Sequence, residues 1–209
     1  MKLSEEEHRR IDEAIAAAES GTSGEICAVL AETSDDYFFA AGFMAACGVI
    51  VAAVLAALLS HWLWISMPLP YFGLAVLSAF VVAMLLIRFL PALRIPLVPH
   101  ALRYRRAHEN AAKQFLLHNV HMTRERTGVL IFVSEAERYA EVLADAGINA
   151  KVPQEEWNGI VSLLTGHASR GNLAEGLVGA IGKAGALLAM HFPPDPDDHN
   201  ELGDRVVEL

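Results

Sequence analysis

The sequence predicts an α/β domain interrupted by a two-helix transmembrane hairpin. Three observations carry this. From Tyr37 to Ile87 there is no Asp, Glu, Lys or Arg, and a soluble domain could not leave so long a stretch uncharged without burying all of it. Outside that block, Glu25–Ala31 and Val129–Val133 have the composition of short buried strands. Apolar residues at helical spacing flank them. With 209 residues, 54% of them hydrophobic and 20% charged, the chain suits one domain of ordinary size plus a membrane element, and disorder is excluded for most of it.

Taken in order, Ser4 and Glu7 have the spacing of a capping box. Leu3, Ile11, Ala14, Ile15 and Ala18 then mark one apolar face of a helix over about 5–19. Ser20-Gly21-Thr22-Ser23-Gly24 breaks it before the first strand, and Thr33-Ser34-Asp35-Asp36 leads into the uncharged block. A helix crossing hydrocarbon needs roughly 20 apolar residues, and the block supplies two runs, about 38–59 and 71–90. His61–Pro70 between them, with paired tryptophans and prolines, suits an interfacial turn that ends both helices. Ala41, Gly42, Ala45, Ala46, Gly48, Ala52 and Ala56 recur at four-residue spacing, which lets helices approach closely in lipid. A pair of helices buried in a soluble core is the competing reading, and buried helices are usually shorter.

A polar helix follows over about 98–120, then the strand at 129–133. Residues 135–145 stay open: propensity favours a helix, whereas Tyr139, Glu141 and Leu143 alternate with Ala140, Val142 and Ala144 as a strand would. Pro153–Ser169 and Leu173–Met190 are two further helices. Gly176, Gly179 and Gly182 give the second a smooth face for packing. The domain boundaries expected are 1–36 for the first helix and strand, 37–92 for the hairpin, 93–192 for the rest of the domain and 193–209 for an acidic, proline-containing tail.

The formal charge of −9 is unevenly spread. An acidic start and tail bracket a basic segment after the second run, with Arg88, Arg94, Arg103, Arg105 and Arg106, while the connecting loop has no Lys or Arg. Lys2, Arg9 and Arg10 precede the first run. The positive-inside rule then places both termini in the cytoplasm of a multi-pass protein of the cell inner membrane. Arg103, Arg105 and Arg106 could attract anionic lipid headgroups or pair with acidic segments of the domain. The basic cluster is too small, and the rest too acidic, for nucleic-acid binding. No secretory signal is expected in the acidic first residues. Cys27 and Cys47 provide no disulfide framework.

Familiar phosphoryl-transfer devices are missing. Neither cysteine has an Arg at the spacing of a cysteine-dependent phosphatase, Gly182-Lys183 lacks the upstream glycine of a P-loop, and Asp195-Pro196-Asp197 sits in the tail with a proline at its centre. No organic cofactor is expected. Carboxylates remain. Ligands of mixed α/β sheets often bind beyond strand ends, so Asp35, Asp36, Glu137 and Asp145 could together hold Ca²⁺ or Mg²⁺, which prefer hard oxygen ligands. The same aspartates also suit simpler roles, Asp35 and Asp36 as solvated residues and Asp145 as a turn-former before Gly147.

The order of motifs resembles the TPM domain family. The likeness rests on Ser23-Gly24-Glu25-Ile26 opening the first strand, Thr127-Gly128-Val129-Leu130-Ile131-Phe132-Val133-Ser134, Glu137-Arg138-Tyr139, Ala144-Asp145-Ala146-Gly147-Ile148, Val152-Pro153 with Trp157, and the closing His191-Phe192-Pro193 with Asn200-Glu201-Leu202. Bacterial TPM-domain membrane proteins are the best match. The resemblance implies an α/β/α sandwich around a small mixed sheet, with the hairpin inserted after the first strand. It also implies a possible phosphatase, since acid phosphatase activity and calcium binding have been attributed to a thylakoid-lumen relative, and others are associated with photosystem repair or receptor assembly. A cytoplasmic domain departs from the lumenal members, and an acid optimum makes little sense there. The expected function is non-catalytic binding or scaffolding at the bilayer with an unidentified protein partner; a metal-dependent phosphatase of phosphomonoesters and an anionic-lipid sensor are the alternatives.

Overall fold

A computed structural model of the protein describes residues 3–194 and 200–209. Lys2 of the charge count and the Asp195-Pro196-Asp197 run lie outside the described residues. In chain order the elements are α1 (Glu5–Glu19), β1 (Glu25–Ala31), α2 (Phe38–Trp62), α3 (Leu69–Phe89), α4 (Arg94–Leu97), α5 (His100–Leu117), β2 (Gly128–Ser134), β3 (Tyr139–Ala144), α6 (Ala146–Asn149), α7 (Gln154–Ala168), α8 (Leu173–His191) and β4 (Val207–Glu208). They fall into two units, Met1–Ser34 with Tyr104–Leu209, and Asp35–Arg103.

The first unit is built on a mixed four-stranded sheet in the order β3-β2-β1-β4. β1 runs parallel to β2 through all seven residues of each, Glu25 opposite Gly128 to Ala31 opposite Ser134. β2 turns back into β3 as an antiparallel hairpin. The 135–145 ambiguity is therefore resolved as a turn and a strand, because pairing with β2 outweighs local helix propensity. β4 pairs parallel with β1 through Val29 and Leu30. The acidic segment expected as a tail thus closes the sheet's second edge. Leu209 N–H donates to the Leu30 carbonyl at 2.9 Å, and Glu32 N–H donates to Leu209 at 3.0 Å.

Every residue of β1 and β2 is buried, which explains their unbroken apolar runs. Alternation along a strand sends Ile26, Ala28, Leu30, Val129, Ile131 and Val133 to one face, against Ile11 and Ile15 of α1, Trp157 and Leu164 of α7, and the apolar length of α8. Cys27, Val29, Leu130 and Phe132 point to the other, against Ala111 and Phe115 of α5 and against Val120. Helices therefore cover both faces. Each fully buried Leu, Ile or Phe here contributes about 1.5–3 kcal/mol. α1 begins as expected: Ser4 accepts from Glu7 N–H, and the Glu7 carboxylate accepts from Ser4 N–H at 2.8 Å.

The second unit is a helical hairpin with a small base. α2 and α3 run antiparallel, and a Cβ built on Gly42 near the start of α2 would stand 3.7 Å from the sulfur of Met84 near the end of α3. Gly48, Ala52 and Ala56, by contrast, are exposed on the outer side. The loop prolines act differently from expectation. Pro70 lies in the first turn of α3, where its missing N–H has no helical partner to lose, and α2 continues to Trp62 because no breaker precedes Pro68. At the base, Tyr37, Ala41, Ile87 and Val98 are buried together. Arg94 Nε donates to the carbonyl of Ile87 at 3.0 Å and Nη1 to that of Asp36 at 3.2 Å, so one guanidinium caps the end of α3.

Candidate functional site

The C-terminal ends of the parallel pair β1 and β2 meet at Glu137, whose side chain the tight β2–β3 turn folds inward until the residue is 1% exposed. Its carboxylate accepts from Ser34 N–H at 2.9 Å and from the Thr33 hydroxyl at 3.3 Å. Ser134 Oγ donates to its other oxygen, and the Ser34 and Ser134 hydroxyls are 2.8 Å apart. Since Ser134 gives its proton to Glu137, Ser34 is the donor to Ser134. The carboxylate thus fastens the chain leaving β1 to the end of β2.

Asp145 occupies the other end of the sheet. Asp145 N–H donates to the Gly128 carbonyl at 3.0 Å, beside the start of β2, whereas Glu137 follows its end. Seven strand residues place them about 20 Å apart. Asp145 caps α6 by accepting from Ala146 N–H, and both its oxygens receive the Arg126 guanidinium, Nε at 2.8 Å and Nη2 at 2.9 Å. That bidentate pair raises the Arg126 guanidinium further above its usual range. Gly147 is required there, because a Cβ would fall 2.5 Å from the Glu125 carbonyl oxygen.

Asp35 and Asp36 belong to the second unit. Asp35 Oδ1 accepts from Asp36 N–H at 2.8 Å, and Asp36 Oδ1 accepts from Phe38 N–H at 3.0 Å, bonds that shape the entry to α2. Of the four carboxylates considered from sequence, Glu137 and Asp145 are therefore held apart. Among the described residues no group of three His, Cys, Asp or Glu side chains could hold one metal ion. The arginines divide as well. Arg105 and Arg106 reach Glu109 on their own helix at 3.6 and 3.0 Å, whereas the buried Arg103 Nε has no hydrogen-bond partner.

Two features escaped the sequence. One is a cleft of about 580 Å³ beneath the β2–β3 turn, floored by Val133, Leu164, Ala168 and Leu173 with Ser134 and Arg138 at its rim. Arg138 adopts a left-handed backbone, φ 53°, which costs a non-glycine residue roughly 1 kcal/mol or more. The other is the carboxylate group under the C-terminal segment. Glu25, 5% exposed, accepts from the backbone of Glu201 and Leu202 at 3.2 Å each. Glu19 accepts from Ile26 N–H at 2.8 Å, while its second oxygen is buried beside the Asp204 carboxylate. Burial above all, with Glu25 and Asp204 adding negative charge, pushes the Glu19 carboxyl up to about 8 against the stabilising Ile26 bond. Neither feature has a contiguous motif; each assembles residues far apart in the chain.

Comparison with known proteins agrees with this architecture. The family model described as the TPM domain matches residues 93–187. No curated protein matches the chain. Among solved structures, the chain is similar to the NMR structure of BA42 protein from the psychrophilic bacterium Bizionia argentinensis, with a TM-score of 0.62 and 22% identity over 100% of this chain and 97% of that one. At that identity the likeness concerns the fold. With the mixed sheet and the family-model match together, a TPM domain is present in this chain.

Proposed function

We propose that the protein is anchored in the bilayer by α2 and α3, with both termini in the cytoplasm, and that its TPM domain is a non-catalytic binding or scaffold module. One observation carries the anchoring. None of the most apolar stretch of α2, and 6% of that of α3, is buried within the protein. Phe39, Phe43, Ile50, Leu55, Leu74 and Leu77 all face outward, an apolar area that soluble proteins do not leave to water. α8 is also long and apolar, but 56% of its stretch is buried, which supports a place in the domain core. Arg88 and Arg94 at the end of α3 and the uncharged α2–α3 loop support the orientation.

The binding role draws support from how the carboxylates are used. Glu137 and Asp145 have their oxygens engaged in holding the chain and the Arg126 guanidinium. Membrane fractionation and a phosphatase assay test the two halves separately. The full chain is expected to resist extraction by alkaline carbonate, and in lipid nanodiscs to leave p-nitrophenyl phosphate intact with or without Ca²⁺ or Mg²⁺. Release into the carbonate supernatant would remove the anchoring. Hydrolysis that Asp145→Asn abolishes without lowering thermal stability would replace the binding role with a phosphatase.

A further inference from the structure

The cleft beneath the β2–β3 turn combines an apolar floor with a single available cation. Val133, Leu164 and Leu173 lie buried behind its base, and Ala140 and Ala168 add apolar lining that is more exposed. At the rim the hydroxyls are already spoken for: Ser134 donates to Glu137, Thr165 Oγ1 to the Val161 carbonyl at 2.8 Å and Ser169 Oγ to the Gly166 carbonyl at 2.9 Å. Arg138 differs. Its exposed guanidinium makes no ion pair or hydrogen bond among the described residues, and a strained left-handed backbone sets it at the mouth. The volume, about 580 Å³, lies in the range of small-molecule sites.

We propose that this cleft binds a small monocarboxylate with an apolar body. The planar guanidinium matches a carboxylate in bidentate fashion, and the floor takes the hydrocarbon. A monocarboxylate presents to the Arg138 guanidinium the planar pair of oxygens that it matches, and with Glu135 also in the lining the cleft holds, among the described residues, no second positive charge for a dianion such as a phosphomonoester. The proposal deepens the binding role given above and rests on it, supplying the chemical class of what is bound.

The test uses the full chain in nanodiscs with 4-(4-fluorophenyl)butyrate as probe, followed by ¹⁹F NMR. Saturable binding is expected, weakened by about tenfold or more in Arg138→Gln through loss of the charged pair, and blocked in Ala168→Leu, which fills the cleft. The neutral amide of the probe should bind the wild-type chain no better than the acid binds Arg138→Gln. No saturable binding, or binding untouched by both substitutions, overturns the proposal, as does tighter binding of the matching alkyl phosphate. Melting curves of both variants keep misfolding apart from loss of the site. Because anchoring and hydrolysis are read by other assays, failure here removes the ligand class without deciding those.

Discussion

Single residues decide where this domain is stiff and where it responds to pH. Glu137 is the clearest case, since removing its carboxylate strands Ser34 N–H and two hydroxyls in a buried site. Glu137→Ala is expected to lower unfolding free energy by about 3 kcal/mol, with Glu137→Gln milder, as chemical denaturation of the reconstituted chain would measure. Glu19 acts in the opposite sense. Its carboxyl is raised from 4.5 to about 8 in the folded protein, so the folded state keeps a proton that the unfolded state loses. That contribution is complete below pH 4.5 and disappears as pH rises through 8. The melting temperature should therefore fall across that interval, and Glu19→Gln should flatten the slope; an unchanged slope would refute the assignment. Sequence alone could not anticipate Glu19, because its perturbation comes first from burial and then from Glu25 and Asp204, the latter 185 positions away along the chain.

At the scale of elements, spacing was a good guide until geometry rotated it. Gly176, Gly179 and Gly182 recur every three residues, but a helix turns every 3.6, so each step drifts by about 60°. A Cβ on Gly176 would meet the Cβ of His167 at 2.8 Å, and one on Gly179 would meet Leu163 at 3.1 Å, while Gly182 faces open space. The drift continues to Gly185, whose Cβ would fall 2.5 Å from that of Ala18 on α1. α8 is thus sandwiched between α7 and α1. Gly182→Ala is expected to be neutral or to stabilise by up to about 1 kcal/mol, and Gly185→Ala to destabilise by roughly 1–3 kcal/mol through overpacking; thermal denaturation separates them. The two long strands, the capping box of α1 and the paired helices at the C-terminal side were legible because their signals are local. β3 was not, since its alternation competes with helix propensity until β2 lies beside it. β4 was hidden for another reason. Two residues in an acidic segment carry no strand signal, and their pairing depends on β1, far away in the chain. Deleting residues 200–209 should expose that edge of β1 and lower the melting temperature, read against the intact chain.

For the whole molecule, the uneven distribution of charge is the feature that organises the rest. The stretch from Tyr37 to Ile87 holds no charged side chain, and the structure turns it into two helices whose apolar side chains mostly face outward. The TPM domain, by contrast, buries its apolar residues on both faces of one sheet. The candidate site was legible only in part. Asp145 was expected at the end of a second hairpin arm if 139–144 formed one, and Glu137 was grouped with it; parallel pairing of β1 with β2 and the antiparallel return of β3 put the two at opposite ends of the sheet, a matter of topology that composition does not encode. Membrane orientation is the most direct point at which the proposed anchoring can fail. An alkaline-phosphatase reporter fused after Leu209 should be inactive in bacterial cells, and a green fluorescent protein fused there should glow, while phosphatase inserted in the loop between α2 and α3 should be active. An active phosphatase at Leu209 would contradict a cytoplasmic domain carried by a hairpin that crosses the bilayer twice.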